Sequence, residues 1–159
     1  MQIDIELTEA QQKLIEMTVP LSLERISLLQ SSDRIIAEEI AAAHDLPLYE
    51  QSAVDGFAVG EDAPVGIQFR LPEARITPGL EIGTGEAYAV VTGGLVPKGT
   101  RTVIPYEHAR VESGYVSFTR EIKASRNMKP AGEDVQSGTL LAKPGDRIAS
   151  GLISILAAF

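Results

Sequence analysis

"QSAVDGFAVG", residues 51–60, decides how this chain is read. Asp55-Gly56 lies between two short runs of small and β-favouring side chains. Asp-Gly is a strong two-residue hairpin signal, because both residues tolerate positive φ. A turn is also a place where flanking strands fix the direction of a carboxylate. The two readings, a plain turn or a carboxylate held at a working surface, are compatible and stay open on pattern alone.

Around this stretch, Gly and Pro punctuate the chain at short intervals from Asp45 to Gly99. The pieces between them read as strands: "GFAV" at 56–59, "IQFRL" at 67–71, "EAYAVVT" at 86–92 and "RTVIPYEHARV" at 101–111. "YVSF" at 115–118 and "TREIKA" at 119–124 follow a Ser113-Gly114 turn. Many short strands separated by turn residues indicate an all-β sandwich or small barrel.

The flanks differ. Thr8 is placed to cap a helix over 9–17, with Ala10, Leu14 and Met17 on one face. "ERISLL", 24–29, alternates as a strand does. "RIIAEEIAAA", 34–43, repeats Ile36, Ile40 and Ala43 at helical spacing, though a strand also fits. After residue 124, turns at Gly132 and Pro144-Gly145 flank "TLLAK", and Ser150 opens an apolar helix. The class is mainly β with α. The expected division is 1–46 plus 125–159 as a helix-and-strand part, with 47–124 inserted as the β part. Phe159 ends the sequence inside an apolar helix, so further chain is expected beyond it.

Composition narrows the function classes. The 159 residues carry 22 acidic and 14 basic side chains, a formal charge of −8, and 44% are hydrophobic. With no Lys/Arg cluster to displace counterions, nucleic acid is a poor partner. Cysteine is absent, so disulfides, thiolate ligands and a thiol nucleophile are ruled out. No apolar run approaches a membrane span and the N-terminus is not a secretory signal, which together point to the cytoplasm. Neither His44 nor His108 has metal-site spacing.

Two further stretches can carry chemistry. In "VVTGGLVPKGT", 90–100, Thr92 ends a strand, and Gly93-Gly94 lets the backbone approach an anion or simply turn. "KPAGEDVQSG", 129–138, puts Lys129, Gly132, Glu133 and Asp134 within one turn. These acids fit a solvated loop tip or a meeting with a metal-bound phosphate.

In order, "PLYEQSAVDGFAV", "TGGLVPKGTRTVI" and "NMKPAGED" resemble the three motifs of the molybdopterin molybdenumtransferase family, the MoeA and gephyrin E-domain type. The resemblance spans nearly the whole chain. It implies a β-barrel-like subdomain inserted in an elongated helix-and-strand subdomain. It also implies insertion of molybdenum from molybdate into adenylylated molybdopterin, with release of AMP and dependence on Mg²⁺. Such proteins act as homodimers, with a cleft completed by a later domain of the other subunit. That later domain is absent from these residues, so the chain alone is expected to be inactive.

Residue by residue, the resemblance puts Asp55, Thr92 and Asp134 at the catalytic cleft. Ser52, Gly93, Gly94 and Lys129 would serve substrate binding, and metal ligands would lie in the later domain. The chain departs from the pattern at Gln51, Phe57, "GGL", Arg101 and Lys129. Because gephyrin relatives also serve as assembly proteins, a non-catalytic scaffold or dimerisation module is the competing expectation.

Overall fold

A computed structural model describes residues 4–19, 21–121 and 127–159. Helix α1 covers Leu7–Met17, followed by strands β1 Ile40–Ala41, β2 Gln51–Ser52, β3 Gly56–Val59, β4 Gln68–Arg70 and β5 Ala87–Val90. Then come β6 Thr102–Pro105, β7 Ala109–Glu112, β8 Tyr115–Phe118, β9 Met128–Lys129, β10 Leu140–Ala142 and helix α2 Ser150–Leu156.

β3 is the keystone because its side chains are buried on both faces. It lies antiparallel between β5 and β6, with Ala58 opposite Tyr88 and Val103. Phe57 and Val59 point one way, joining Phe69, Val116 and Phe118 from the second sheet, β4-β8-β7. Ala58 points the other way, into a cluster with Tyr88, Val90, Val96 and Val103. The period of two predicted for "GFAV" is thus used on both faces. A parallel bridge between Arg70 and Glu86 links the two sheets. The ladders do not close into a barrel among the described residues.

The expected Asp55-Gly56 hairpin does not form. β2 pairs with β9 while β3 pairs with β5 and β6, so residues 53–55 are a bend between different sheets. Glycine is needed at 56 for a different reason. A Cβ there would sit 2.2 Å from the Ile104 carbonyl oxygen of β6. The two-residue hairpin is at Ser113-Gly114, where φ of 51° and 82° matches a type I′ turn joining β7 to β8.

Other expectations change for local reasons. The continuous strand over 101–111 breaks at Pro105, which has no N–H for a ladder, and a 3₁₀ turn over Tyr106–His108 sends the chain to the other sheet. Residues 24–27 join no ladder, and Leu28–Gln30 form a 3₁₀ turn instead of a strand end. Over 34–43 no helix forms; the chain makes a bridge at Ile35 and the short strand Ile40–Ala41, and Ile36 and Ile40 pack with Ala142 and Ile148. Thr8 is inside α1, whose first turn follows Glu6, and Ser150 is inside α2, which starts after Ala149. Thr119 and Arg120 form a bend, and most of the remaining "TREIKA" residues lie outside the described residues.

Residues 35–42 meet residues 139–147. β1 pairs antiparallel with β10, and Ile35 bridges Arg147. Nothing in α1 is buried: Leu14 is 67% and Met17 79% exposed.

Candidate functional site

β2 gathers the three motif stretches. On one side Gly93 N–H donates to Ser52 O at 2.8 Å and Ser52 N–H to Gly94 O at 2.9 Å. On the other, Gln51 and Ser52 face Lys129 and Met128, and Ala53 N–H donates to Asn127 O at 2.9 Å. Residues separated by some eighty positions in the chain therefore become neighbouring backbones. Asn127 takes φ 61° and its Nδ2 donates to Val103 O at 2.8 Å, which ties the third stretch to β6.

Asp55 follows directly from this arrangement. Its carbonyl accepts the Tyr106 N–H at 3.1 Å. Its Oδ1 accepts both the Thr92 N–H at 2.7 Å and the Thr92 hydroxyl at 2.9 Å. The backbone bond from Thr92, and next its hydroxyl, hold the carboxyl below its ordinary range, against a smaller desolvation effect. The residue is exposed and lines an open groove of about 650 Å³ at one end of the β5-β3-β6 sheet. Thr92, Val91, Pro105, Tyr106 and Glu107 form much of the remaining wall.

This geometry gives a direct test. Thr92→Val removes the hydroxyl but keeps the backbone donor, so the Asp55 pKa should rise part of the way toward its ordinary value. NMR titration of the side-chain carboxyl reads this. Because the folded pKa is lowered, the stabilisation from this pairing is complete above the ordinary carboxylate range. It is lost as pH falls through the folded value, and the variant should lose it at higher pH than the wild type.

The other predicted residues take different places. Ser52 is buried, and its hydroxyl donates to Val54 O while accepting the Val54 N–H at 3.3 Å. Gly94 N–H donates to Val91 O at 2.8 Å, so both glycine N–H groups are engaged by backbone carbonyls. Lys129 Nζ bonds Asp134 Oδ2 at 2.6 Å, a contact that raises the lysine pKa, with burial opposing it and Glu133 adding to it. Lys129 and Asp134 do not line the Asp55 groove. Gly132, at φ 72°, turns against Asp45, whose Oδ1 accepts the Ser137 N–H at 2.8 Å. Arg101 pairs with Asp62 at 3.0 Å.

Sequence reasoning passed over Tyr106 and Glu107 because they lay inside an assumed strand. The Pro105-Tyr106 break was the available signal.

The family model describing the MoeA N-terminal region (domain I and II) matches residues 5–159. The chain belongs to this family. This MoeA N-terminal region is 32% identical over 150 residues to a molybdopterin molybdenumtransferase of Synechococcus elongatus, covering 88% of this chain and 37% of that protein. A protein of the same name from Bacillus subtilis is 31% identical over 151 residues, covering 86% of this chain and 35% of its own length. A solved molybdopterin biosynthesis MoeA protein from Pyrococcus horikosii shares the fold with a TM-score of 0.80 at 24% identity, covering 97% of this chain and 42% of that one. The chain thus spans a little over a third of the length of the curated relatives it matches.

Proposed function

We propose that this chain is the N-terminal part of a molybdopterin molybdenumtransferase acting in molybdenum cofactor biosynthesis. The longer protein transfers molybdenum from molybdate to adenylylated molybdopterin and releases AMP. The observation that carries this reading is the Asp55 carboxylate, kept ionised by Thr92 at the mouth of an open groove. Such a group can orient a substrate donor or a water without changing its own protonation at neutral pH. Ser52, Gly93 and Gly94 serve this site by holding the bend, and Lys129 and Asp134 support the neighbouring strand.

Magnesium demands near-octahedral oxygen coordination. Among the described residues no group of three or more His, Cys, Asp or Glu could hold a metal ion. The residues present therefore do not fit a magnesium site by themselves, and no step is assigned to the ion. In this reading the chain alone does not turn over. Its division into 1–46 plus 125–159 and a barrel-like 47–124 follows the same proposal, as does a place in the cytoplasm. Among the described residues no helix is long and apolar enough to cross a membrane.

The deciding experiment is molybdate-dependent AMP release by the full-length protein. Absence of turnover in a correctly folded wild type overturns the enzymatic reading. One observation favours the scaffold alternative: the Gly93 and Gly94 N–H groups and the Lys129 ammonium already have internal partners.

Pairing of two copies belongs to either reading, and it is supported by the unburied apolar face of α1. Size-exclusion chromatography with light scattering should give a dimer, and Leu14→Glu with Met17→Glu should shift it to monomer. A monomer at high wild-type concentration overturns the pairing.

A further inference from the structure

Tyr106 has a position the proposed reaction has not yet used. Its ring is 65% exposed, yet it is not loose. One face lies against Phe57, with ring centroids 6.0 Å apart and planes within 19°. Phe57 itself is 3% exposed and anchored in the main core. The Tyr106 N–H is tied to the Asp55 carbonyl, and the preceding Pro105 has φ −56°. Ring, carboxylate and backbone are therefore set relative to one another before anything binds, which lowers the ordering cost of binding.

The exposed Tyr106 and Asp55 line the same groove. Asp55 Oδ1 is occupied by two bonds from Thr92, while Oδ2 meets no donor among the described residues. An aromatic face beside an ionised oxygen recognises a flat heterocycle with N–H donors along one edge. The face supplies stacking, and the oxygen accepts from the edge. A pterin presents an N–H and an amino group side by side on its pyrimidine ring. Adenine presents one amino group flanked by ring nitrogens that are acceptors, which an anionic oxygen repels.

We propose that Tyr106 is a substrate-positioning residue: the pterin ring of the substrate stacks on its exposed face and donates from its pyrimidine edge to Asp55 Oδ2. This rests on the molybdenum-transfer reading and adds the moiety that the groove takes. It also assigns the aromatic stack formed by Phe57 and Tyr106 a role in ligand orientation.

The test uses the full-length protein and two probes, 6-carboxypterin followed by fluorescence quenching and AMP followed by calorimetry. Tyr106→Leu and Tyr106→Gln should each weaken pterin binding by about 5- to 150-fold, the range expected for losing one aromatic–base stack. Tyr106→Phe should restore it. AMP binding should not respond to the Leu or Gln variant. In turnover assays both variants should raise KM for adenylylated molybdopterin with much less change in kcat, a split that loss of fold would not produce. Pterin binding unchanged in folded Leu and Gln variants overturns the proposal, as does a Tyr106 dependence confined to AMP. If wild-type transfer is absent while pterin binding still depends on Tyr106, the molybdenum-transfer reading fails and the stacking site stands. If transfer proceeds and pterin ignores Tyr106, the reverse holds.

Discussion

Asp55→Asn in the full-length protein should lower molybdate-dependent AMP release by roughly 10²- to 10³-fold, the loss seen when one preorganised polar group is removed from a site of this kind. The substitution is conservative in shape. The amide oxygen can still accept the Thr92 N–H at 2.7 Å and its hydroxyl at 2.9 Å, so the bend between β2 and β3 has its partners. What disappears is the charge, and an acceptor facing the groove becomes an NH₂ donor. Because the Asp55 pKa is already lowered, the wild-type carboxylate remains ionised throughout the neutral range, and the Asn variant should be equally impaired across it. Circular dichroism and thermal melting should match the wild type. Undiminished AMP release in the variant would remove Asp55 from the chemistry.

Gly56→Ala should be the most damaging small substitution near the site. The added Cβ would meet the Ile104 carbonyl oxygen at 2.2 Å, its carbon at 2.9 Å and Pro105 Cα at 3.1 Å. All three are backbone atoms of β6, so no side-chain rotation relieves the clash. β3 and β6 must separate, although both lie in the most buried sheet. A cost of about 3 kcal/mol is expected from such overpacking. For a chain of this size that lowers Tm by roughly 6–12 °C. Transfer should fall as well, because the same separation moves Tyr106 relative to Asp55. A melting temperature within a degree or two of wild type would show that the sheet yields more easily than this contact implies.

Much of the architecture was legible where one local rule suffices. Ser113-Gly114 gave a hairpin because both residues can take positive φ and apolar strands flank them. "GFAV" gave a strand because β-favouring residues were bounded by turns. Asp55-Gly56 satisfied the same local rule and misled, since no dipeptide reveals which strands will pair on either side of it. Ile36 and Ile40 misled differently. A spacing of four returns to one face of a helix and of a strand alike, and only the partner β10 decides between them.

The candidate site was legible to a similar depth. Asp55 and Thr92, both named from the motifs, are hydrogen-bonded across 37 positions of chain. Ser52, Gly93 and Gly94 are present in the same place, but as backbone fastening, because their polar atoms are consumed by one another and by Val54 and Val91. Lys129 and Asp134 found each other, a pairing that five residues of separation allowed and no pattern required. Tyr106 stayed hidden because its position depends on a break after Pro105 and on a ring buried beneath it.

The pairing of Gln51 with Lys129 beside that of Ile40 with Ala142 makes the exit and return of the polypeptide adjacent. These two ladders act as a clasp around the described residues 53–121. Doubling the tract enclosed by such a closure costs only about 0.6 kcal/mol, so its hairpin tips and surface loops are free to drift in length over evolution. The clasp has no such latitude: a slip of one residue would turn Ser52 outward and take the Asp55 bend with it.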